Sequence, residues 1–368
     1  MLFCAAPARA ELRAEIELRV GESGSFGAGP AEARLGEEIV ARAVLRDGRR
    51  RLLLPAGAEL SWFRLVPRPL HRDHPRQGRF GQVYANSVMG GPEHGRWLGY
   101  DRLEYDRRFF PSEEDRFARV DGPLLRLRGV DRLASQELRR PPHRAPEAEA
   151  AGSLWLQVEI RLPDGRRVRS PGREPAEISG ERGRERAGLA RGVARLSFRT
   201  GDDFLGWMST YFGVPYVFGS TPAQSERYLG IDCADVMIAA RRRIVRRPPA
   251  YTFVVGLARH AEPITETLRL SASHEIVDAE GRAVTLRWGA QIRAGDLVAF
   301  DYAGEGGSLL PRAWDHVGSL HSDSGASGRV GVLDGMDLVR HMGLTGLTDE
   351  PLRGQGRGVH LRILRWRR

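Results

Sequence analysis

The sequence predicts an α+β protein in which a β-rich domain precedes a mixed domain of helices and strands. At 368 residues the chain is long enough for about two domains, each with its own core. The first half contains short segments in which polar and apolar residues alternate, as in half-buried strands. The second half begins with apolar segments that favour helices and continues with strand-like segments. We therefore place a β-rich domain at 11–172, a linker at 173–195 and a second domain at 196–368.

Four alternating segments define the predicted strands of the first domain, at 15–20, 38–45, 59–66 and 153–162. Short strands separated by turn sequences such as Asp47-Gly48 predict a β-sandwich, of which an immunoglobulin-like fold is one form. We expect 67–119 to form loops, because that stretch has no clear period. The linker is rich in Arg, Glu, Gly and Pro and has too few bulky apolar residues to bury a core.

The net charge of +10 does not indicate nucleic-acid binding. All 57 basic residues are arginine and Asn86 is the only asparagine, a composition that points to GC-rich codon usage. The arginines are also scattered among 47 acidic residues, whereas a nucleic-acid-binding protein gathers its basic residues on one face. The sequence therefore predicts no nucleic-acid partner. It does not indicate an oligomeric state.

The first ten residues, MLFCAAPARA, resemble the end of a signal peptide. Ala8-Arg9-Ala10 has the small-x-small pattern that signal peptidase cleaves, and apolar residues precede it. We therefore expect 1–10 to be a partial signal peptide and the protein to be exported. Cleavage there would remove Cys4 and leave Cys233 as the single thiol, which could then form no internal disulfide. No apolar run approaches the roughly 20 residues that span a bilayer, so the sequence predicts no transmembrane segment.

A lone cysteine and a downstream histidine carry the candidate chemistry of the second domain. Cys233 opens an apolar run at 236–240 that predicts a helix, and the dipole and free N–H groups at a helix start stabilise a thiolate. His316 lies in the strand-like segment WDHVGSL, where an imidazole can act as general base and then as general acid. The alternatives are a buried structural cysteine and a surface histidine at a strand end.

Four motifs occur in order along the second domain: PYVFGS at 215–220, GIDCADVMIAA at 230–240, AGDLVAFDY at 294–302 and WDHVGSL at 314–320. Together they resemble the NlpC/P60 family of papain-like cysteine peptidases, whose members cut peptides of bacterial cell walls. The resemblance covers roughly 205–368. It implies a papain-like α+β fold, peptidoglycan or a wall peptide as the partner, and no cofactor.

The resemblance also implies roles for individual residues. Cys233 would be the nucleophile, with its own backbone N–H in the oxyanion hole, and His316 would be the general base. Asp232 would hold the free amine of the substrate, and Tyr216 would line the site near the oxyanion. We add Ser220, from the same motif as Tyr216, as a third substrate contact.

The sequence departs from the family pattern at two places. Ala234-Asp235 follows the cysteine where the family has Ser-Gly, so the usual cleavage site beside D-glutamate is not implied. The segment from Cys233 to His316 is longer than expected, and we assign the excess to an insertion at 241–286 that forms a hairpin or a lid. No pair of histidines has the spacing of zinc ligands, so the sequence predicts no metal.

The residue that orients the imidazole is less clearly indicated. The family supplies His, Asn or Gln from the strand after the histidine strand. A hairpin folded about Gly325 would place Asp334 directly opposite His316, with Cβ atoms about 4.5–5.5 Å apart. Asp334 is therefore our first choice, and His321 and His341 are the alternatives. His321 lies an odd number of residues from His316 and should face the other side of the strand.

The function that follows is hydrolysis of an amide bond, in peptidoglycan peptides, through a Cys233 thioester. Two alternatives stay open. One is a papain-like acyltransferase or amidase that acts on a non-murein substrate. The other is a non-catalytic wall-binding protein. The role of the first domain is open between wall polymer and a partner protein.

Overall fold

The computed structural model describes residues 12–68, 105–113, 115–130, 150–174, 188–217, 219–302, 314–344, 346–356 and 358–367. The structure is mostly β, with 42% strand and 11% helix in three sheets, one of them a curled half-barrel. The predicted signal segment 1–10 and 175–187 of the predicted linker lie outside the described residues. Within the described residues, no helix has the length and apolar character needed to cross a membrane.

The first two sheets are built from eleven strands. In chain order these are β1 (Leu12–Val20), β2 (Ala31–Arg34), β3 (Ile39–Asp47), β4 (Arg50–Leu52), β5 (Glu59–Pro67), β6 (Tyr105–Phe109), β7 (Ala118–Asp121), β8 (Leu124–Leu127), β9 (Gly152–Arg161), β10 (Arg167–Arg169) and β11 (Ala194–Arg199). The first sheet has the order β1-β3-β8-β7, with β4 beside β3. The second has the order β2-β11-β9-β5-β6, with β10 beside β9.

The two sheets share one hydrophobic core, as the layers of a sandwich do. Ile16 and Ile39 of the first sheet lie in the same buried cluster as Leu156 and Phe198 of the second. The four strands predicted by alternation are present as β1, β3, β5 and β9. The prediction of loops across 67–119 was wrong in part, because β6 and the first half of β7 fall within that stretch.

Strand β11 pairs with β2 in parallel and with β9 in antiparallel register. It therefore extends the sandwich to Arg199, over residues that the sequence analysis assigned to the linker and the second domain. The parallel pairing explains why local patterns missed this membership: the partner strand β2 is more than 160 residues away in sequence.

The third sheet, three short α-helices and two 3-10 helices (Val254–Arg259 and Leu352–Gln355) make up the regular structure of the rest of the described chain. The helices are α1 (Phe204–Ser209), α2 (Pro222–Glu226) and α3 (Cys233–Arg242), and the strands are β12 (Ala261–Pro263), β13 (Leu268–Leu270), β14 (Ile276–Val277), β15 (Leu297–Asp301), β16 (His316–Ser322), β17 (Leu338–Gly343), β18 (Gly346–Pro351) and β19 (His360–Trp366). The order is β14-β13-β19-β15-β16-β17-β18, with β12 beside β19. The predicted insertion at 241–286 thus contributes three strands to this sheet.

Both faces of the third sheet are covered. Leu297 and Val317 point into the cluster that contains the buried side of α3, whereas Phe300 and Leu320 point into a cluster on the opposite face. Every residue of α3 from Ala234 to Ala240 is buried. The apolar run predicted to form a helix therefore does so, and it anchors the residue at its start against the sheet.

The sandwich packs directly on α1 and the segment after it. Trp155 of β9 lies in one buried cluster with Phe212, which follows α1, and with Met237 of α3. The Ser153 N–H donates to the Phe212 carbonyl at 2.8 Å, and the Ser153 hydroxyl donates to the Thr210 carbonyl at 2.7 Å. The two parts of the chain therefore share a core, which we call the junction core.

Candidate active site

The start of α3 is fixed by a side-chain cap. Asp232 is the N-cap, and its Oδ1 accepts hydrogen bonds from the N–H groups of Ala234 at 3.0 Å and Asp235 at 2.8 Å. Its Oδ2 accepts from the Gly219 N–H at 3.2 Å. These bonds satisfy helix N–H groups that have no partner within the helix. The cap sets the position of the next residue, Cys233.

The Cys233 thiol lies between α3 and β16. The side chain packs against the junction core, and the residue as a whole is part-buried. The backbone N–H of Val317, the residue after His316, faces the sulfur. Burial first, and then the charge of Asp232, raise the pKa of the thiol well above its usual range. The sequence-based expectation of a thiolate stabilised by the helix start is therefore wrong for the resting site, because desolvation outweighs the N–H groups.

His316 makes a defined contact through one ring nitrogen. Its Nε2 lies 2.8 Å from Nδ1 of His341, and the two rings meet edge to face with centroids 4.9 Å apart. The Phe300 ring also stacks on the His316 ring, with centroids 6.0 Å apart. Burial lowers the pKa of His316 well below its usual value. The imidazole is therefore neutral at pH 7, and Nδ1 is the nitrogen left for a second partner.

The hydrogen-bonded chain continues beyond His341. Nε2 of His341 lies 2.8 Å from Oε1 of Glu350, on the neighbouring strand β18. Gln355 donates to the same glutamate oxygen, and its Nε2 also lies 3.3 Å from Nε2 of His341. The Tyr302 hydroxyl donates to Oε1 of Gln355 at 2.6 Å. His316 thus stands at one end of a connected set of polar side chains, which we call the histidine relay.

Asp334, the predicted orienting residue, is not opposite His316. Its carboxylate accepts from the Ser327 hydroxyl and, at 2.8 Å, from the Met336 N–H. The strand register pairs Gly318 with His341 instead. The polar group in contact with the His316 ring is therefore His341, one of the two alternatives to Asp334.

The loop between β16 and β17 explains this error. It is a structured loop rather than a turn about Gly325, because carboxylates hold its backbone: Asp337 accepts from the Ser324 N–H at 2.9 Å and Asp323 accepts from the Gly325 N–H at 2.9 Å. A register shift between Leu320 and Ser322 also displaces the pairing of β16 with β17 from that of a regular hairpin. A hairpin drawn with a simple turn could not include either effect.

His321 lies away from the histidine relay, as its parity predicts. Its Nε2 accepts from Arg340 at 2.9 Å, and Arg340 also binds Asp349 through two nitrogens at 2.7 and 2.9 Å. Arg340 is 2% exposed and donates to the Leu205 carbonyl at 2.8 Å. This group connects the third sheet to α1.

The predicted substrate contacts occupy different positions. Tyr216 is partly exposed, and its backbone pairs with Ile231 just before the cap, so it lies beside the start of α3. Ser220 is only 3% exposed: its oxygen accepts from the Asp232 N–H at 3.1 Å and its hydroxyl donates to Asp235 at 2.7 Å. Ser220 therefore supports the helix cap and is too buried to contact a substrate at the surface.

Asp235 adds a second buried carboxyl under the helix start. The hydroxyls of Ser220 and Ser225 donate to its Oδ2 at 2.7 and 2.9 Å. Burial first, and then the charge of Asp232, raise the pKa of Asp235 to about 8, and burial raises that of Asp232 to about 6. Asp235 therefore holds a proton at neutral pH, which limits the negative charge beneath Cys233.

Sequence reasoning missed Glu350 and Gln355. Neither lies in one of the four motifs, and a polar residue near a strand end carries no signal of its own. Their membership follows only from the pairing of β17 with β18, which brings Glu350 within reach of His341. Among the described residues, no group of three or more His, Cys, Asp or Glu side chains is arranged to hold a metal ion.

Comparisons of the chain with protein-family models, with curated proteins and with solved structures gave no match.

Proposed function

We propose that the chain is an exported cysteine hydrolase with a papain-like, NlpC/P60-type catalytic domain, and that it cleaves an amide bond in peptidoglycan peptides. One observation carries the proposal. The thiol of a part-buried cysteine sits at a capped helix start against the Val317 N–H, and the residue before Val317 is a histidine whose Nε2 is already held by a second histidine. The four sequence motifs contribute the pieces of this arrangement in the family's order.

The chemistry begins with a neutral thiol and a neutral imidazole. As Cys233 Sγ attacks the substrate carbonyl carbon, the S–H bond breaks and Nδ1 of His316 takes the proton. The carbonyl oxygen becomes an oxyanion, and its collapse breaks the C–N bond. The leaving amine takes the proton from His316, which leaves a thioester on Cys233. Water, deprotonated by the same imidazole, then adds to the thioester carbon. The C–S bond breaks, the acid is released, and the sulfur takes the proton back from His316.

The helix start can stabilise the oxyanion. Asp232 uses the N–H groups of Ala234 and Asp235, whereas the Cys233 N–H has no acceptor among the described residues. A first-turn N–H has no partner within its helix, so it is free to donate to a developing negative charge. Loss of one such donor typically costs about 10²–10³-fold in kcat.

A digest of peptidoglycan sacculi tests the proposal. The wild-type protein should release muropeptide fragments with new peptide termini, which mass spectrometry identifies. Cys233→Ala should release none, and Asp334→Asn, which changes a carboxylate outside the histidine relay, should keep the wild-type fragments. Cleavage by Cys233→Ala at the wild-type rate would contradict the mechanism.

An amidase or acyltransferase acting on a non-murein substrate is the second candidate, and the surroundings of Asp232 favour it. A carboxylate offers about four acceptor positions, and Asp232 uses three of them for backbone N–H groups. Ala234 removes the hydroxyl that the family places after the cysteine. Little capacity is left to hold the free amine of a wall peptide. Absence of muropeptide fragments, combined with Cys233-dependent cleavage of other amides, would select this candidate.

A further inference from the structure

We propose that Glu350 is a positioning residue that determines, through His341, which nitrogen of His316 carries the proton. The inference rests on the proposed function for its catalytic meaning, but the proton positions can be measured without any substrate. It concerns a residue two hydrogen bonds away from the His316 ring and outside the sequence motifs.

Glu350 forms the far end of the histidine relay. Burial raises the pKa of this carboxyl, but the hydrogen bonds from His341 and Gln355 outweigh that effect and lower it. Glu350 is therefore ionised at neutral pH, and an ionised carboxylate only accepts hydrogen bonds. Nε2 of His341, 2.8 Å from Oε1, must then carry a proton.

The proton position passes along the histidine relay. While the His341 ring carries a single proton, its position on Nε2 leaves Nδ1 as an acceptor. Nδ1 of His341 can then only accept from Nε2 of His316, 2.8 Å away, so His316 carries its proton on Nε2. Its own Nδ1 keeps a lone pair, which is the form required to take a proton from the Cys233 thiol.

Gln355 makes the proton position on His341 depend more strongly on the Glu350 carboxylate. The Tyr302 hydroxyl donates to the Gln355 oxygen at 2.6 Å, which turns the amide nitrogen toward Glu350 and His341. Without the carboxylate, that N–H would face Nε2 of His341 at 3.3 Å as its acceptor. His341 would then carry its proton on Nδ1 and donate to His316, and His316 would present Nδ1–H to the thiol. A reversed relay cannot act as a base.

The test is ¹⁵N NMR of labelled histidines in the full chain at pH 7.5, which distinguishes protonated from unprotonated ring nitrogens. The wild type should show His316 and His341 protonated on Nε2. Glu350→Leu should shift both rings toward Nδ1–H and lower kcat/KM by about 10²-fold, the lower end of what a general base contributes. Glu350→Gln should keep the wild-type tautomers, because the amide oxygen accepts the His341 Nε2–H, and should retain most of the activity.

Glu262→Gln is the matched control, since Glu262 is exposed on β12 of the same sheet and should leave tautomers and activity unchanged. Unchanged tautomers in a folded Glu350→Leu protein would overturn the inference, as would wild-type rings protonated on Nδ1. Either result leaves Cys233-dependent cleavage standing. Conversely, a wild type that shows the expected tautomers but cleaves no amide would refute the proposed function and not the proton assignment.

Discussion

At the scale of single residues, burial determines the protonation states of the candidate site. It raises the pKa of Cys233 and lowers that of His316, so the resting pair is neutral. Proton transfer then accompanies attack on the substrate. A thiol in this state differs from one held as a thiolate by a helix start alone, which is what the sequence predicted.

Alkylation of Cys233 by iodoacetamide checks this difference, because only the thiolate reacts. Each unit by which the pKa exceeds the ordinary 8.5 lowers the thiolate fraction at pH 7.5 about tenfold. Cys233 should therefore react more slowly than a free cysteine and continue to gain rate above pH 9, as followed by peptide mass mapping. The same peptide in the unfolded chain is the control. Fast alkylation below pH 7 would indicate a preformed thiolate and contradict the account.

Asp235→Asn should stabilise the protein increasingly as pH rises from about 4 to about 8. The folded pKa of Asp235 is about 8 against a reference value of 3.8, so the folded state holds a proton that the unfolded state releases within this window. Stability from this group is therefore full below pH 4 and is lost as pH rises. Asn does not titrate, and its oxygen can accept from Ser220 and Ser225.

Denaturant unfolding at pH 5 and pH 9 measures this effect. Asp164→Asn is the control: Asp164 lies exposed in a turn and its pKa is lowered, first by the backbone hydrogen bond from Arg166, so its replacement should bring no gain at high pH. An equal effect of Asp235→Asn at both pH values would refute the assignment of a raised pKa.

Individual residues of the site could be predicted from the sequence where they lie in a motif. Cys233 and His316 occupy positions that motif and pattern could mark, and the structure places the thiol against the residue after His316. Glu350 could not be found this way, because its role depends on a contact across two strands.

At the scale of elements, the capped start of α3 holds the thiol in place. Asp232→Ala should cost about 1 kcal/mol of unfolding free energy, the usual loss for a helix N-cap, whereas Asp232→Asn keeps an acceptor oxygen and should cost less. Urea unfolding measures both. The Asp203 side chain caps α1 with a 2.7 Å bond to the Gly206 N–H, so Asp203→Ala should lose comparable stability.

The rate of amide hydrolysis distinguishes the effects of the two cap substitutions. Asp232→Ala should also lose amide hydrolysis, because it frees the helix start that positions Cys233, and Asp203→Ala should not. If both variants kept full activity, the cap would have no part in positioning the thiol.

The strand register shows why Asp334 was wrongly expected to lie opposite His316. The existence of β16 could be read from WDHVGSL, but its partner register depended on the loop that follows. Asp323, Asp334 and Asp337 bind backbone groups of that loop and give it a shape that hairpin arithmetic does not contain. The residue in contact with the His316 ring is therefore His341, a residue type that the family resemblance allowed.

At the scale of the whole molecule, the sandwich and the third sheet are not independent. Trp155 is 1% exposed and lies in the junction core. The backbone N–H and the hydroxyl of Ser153 donate hydrogen bonds to the segment after α1, and so join the sandwich to that segment. Composition and alternation predicted a sandwich followed by a second part. They could not show that β11 closes the sandwich or that the two parts bury side chains against each other.

Scanning calorimetry should therefore record one unfolding transition, with calorimetric and van't Hoff enthalpies that agree. Trp155→Ala should destabilise the whole chain by about 3–5 kcal/mol, the usual cost of truncating a buried tryptophan. Two well-separated transitions, with only one of them moved by Trp155→Ala, would show that the parts unfold independently.

The initial rate of amide-bond cleavage in peptidoglycan sacculi tests the central claim most directly, measured for the wild type, Cys233→Ala and His316→Ala. The account predicts measurable cleavage by the wild type, none by Cys233→Ala, and a loss of about 10²–10⁴-fold in His316→Ala, the contribution of a general base. Cleavage that survives unchanged in either variant would contradict it.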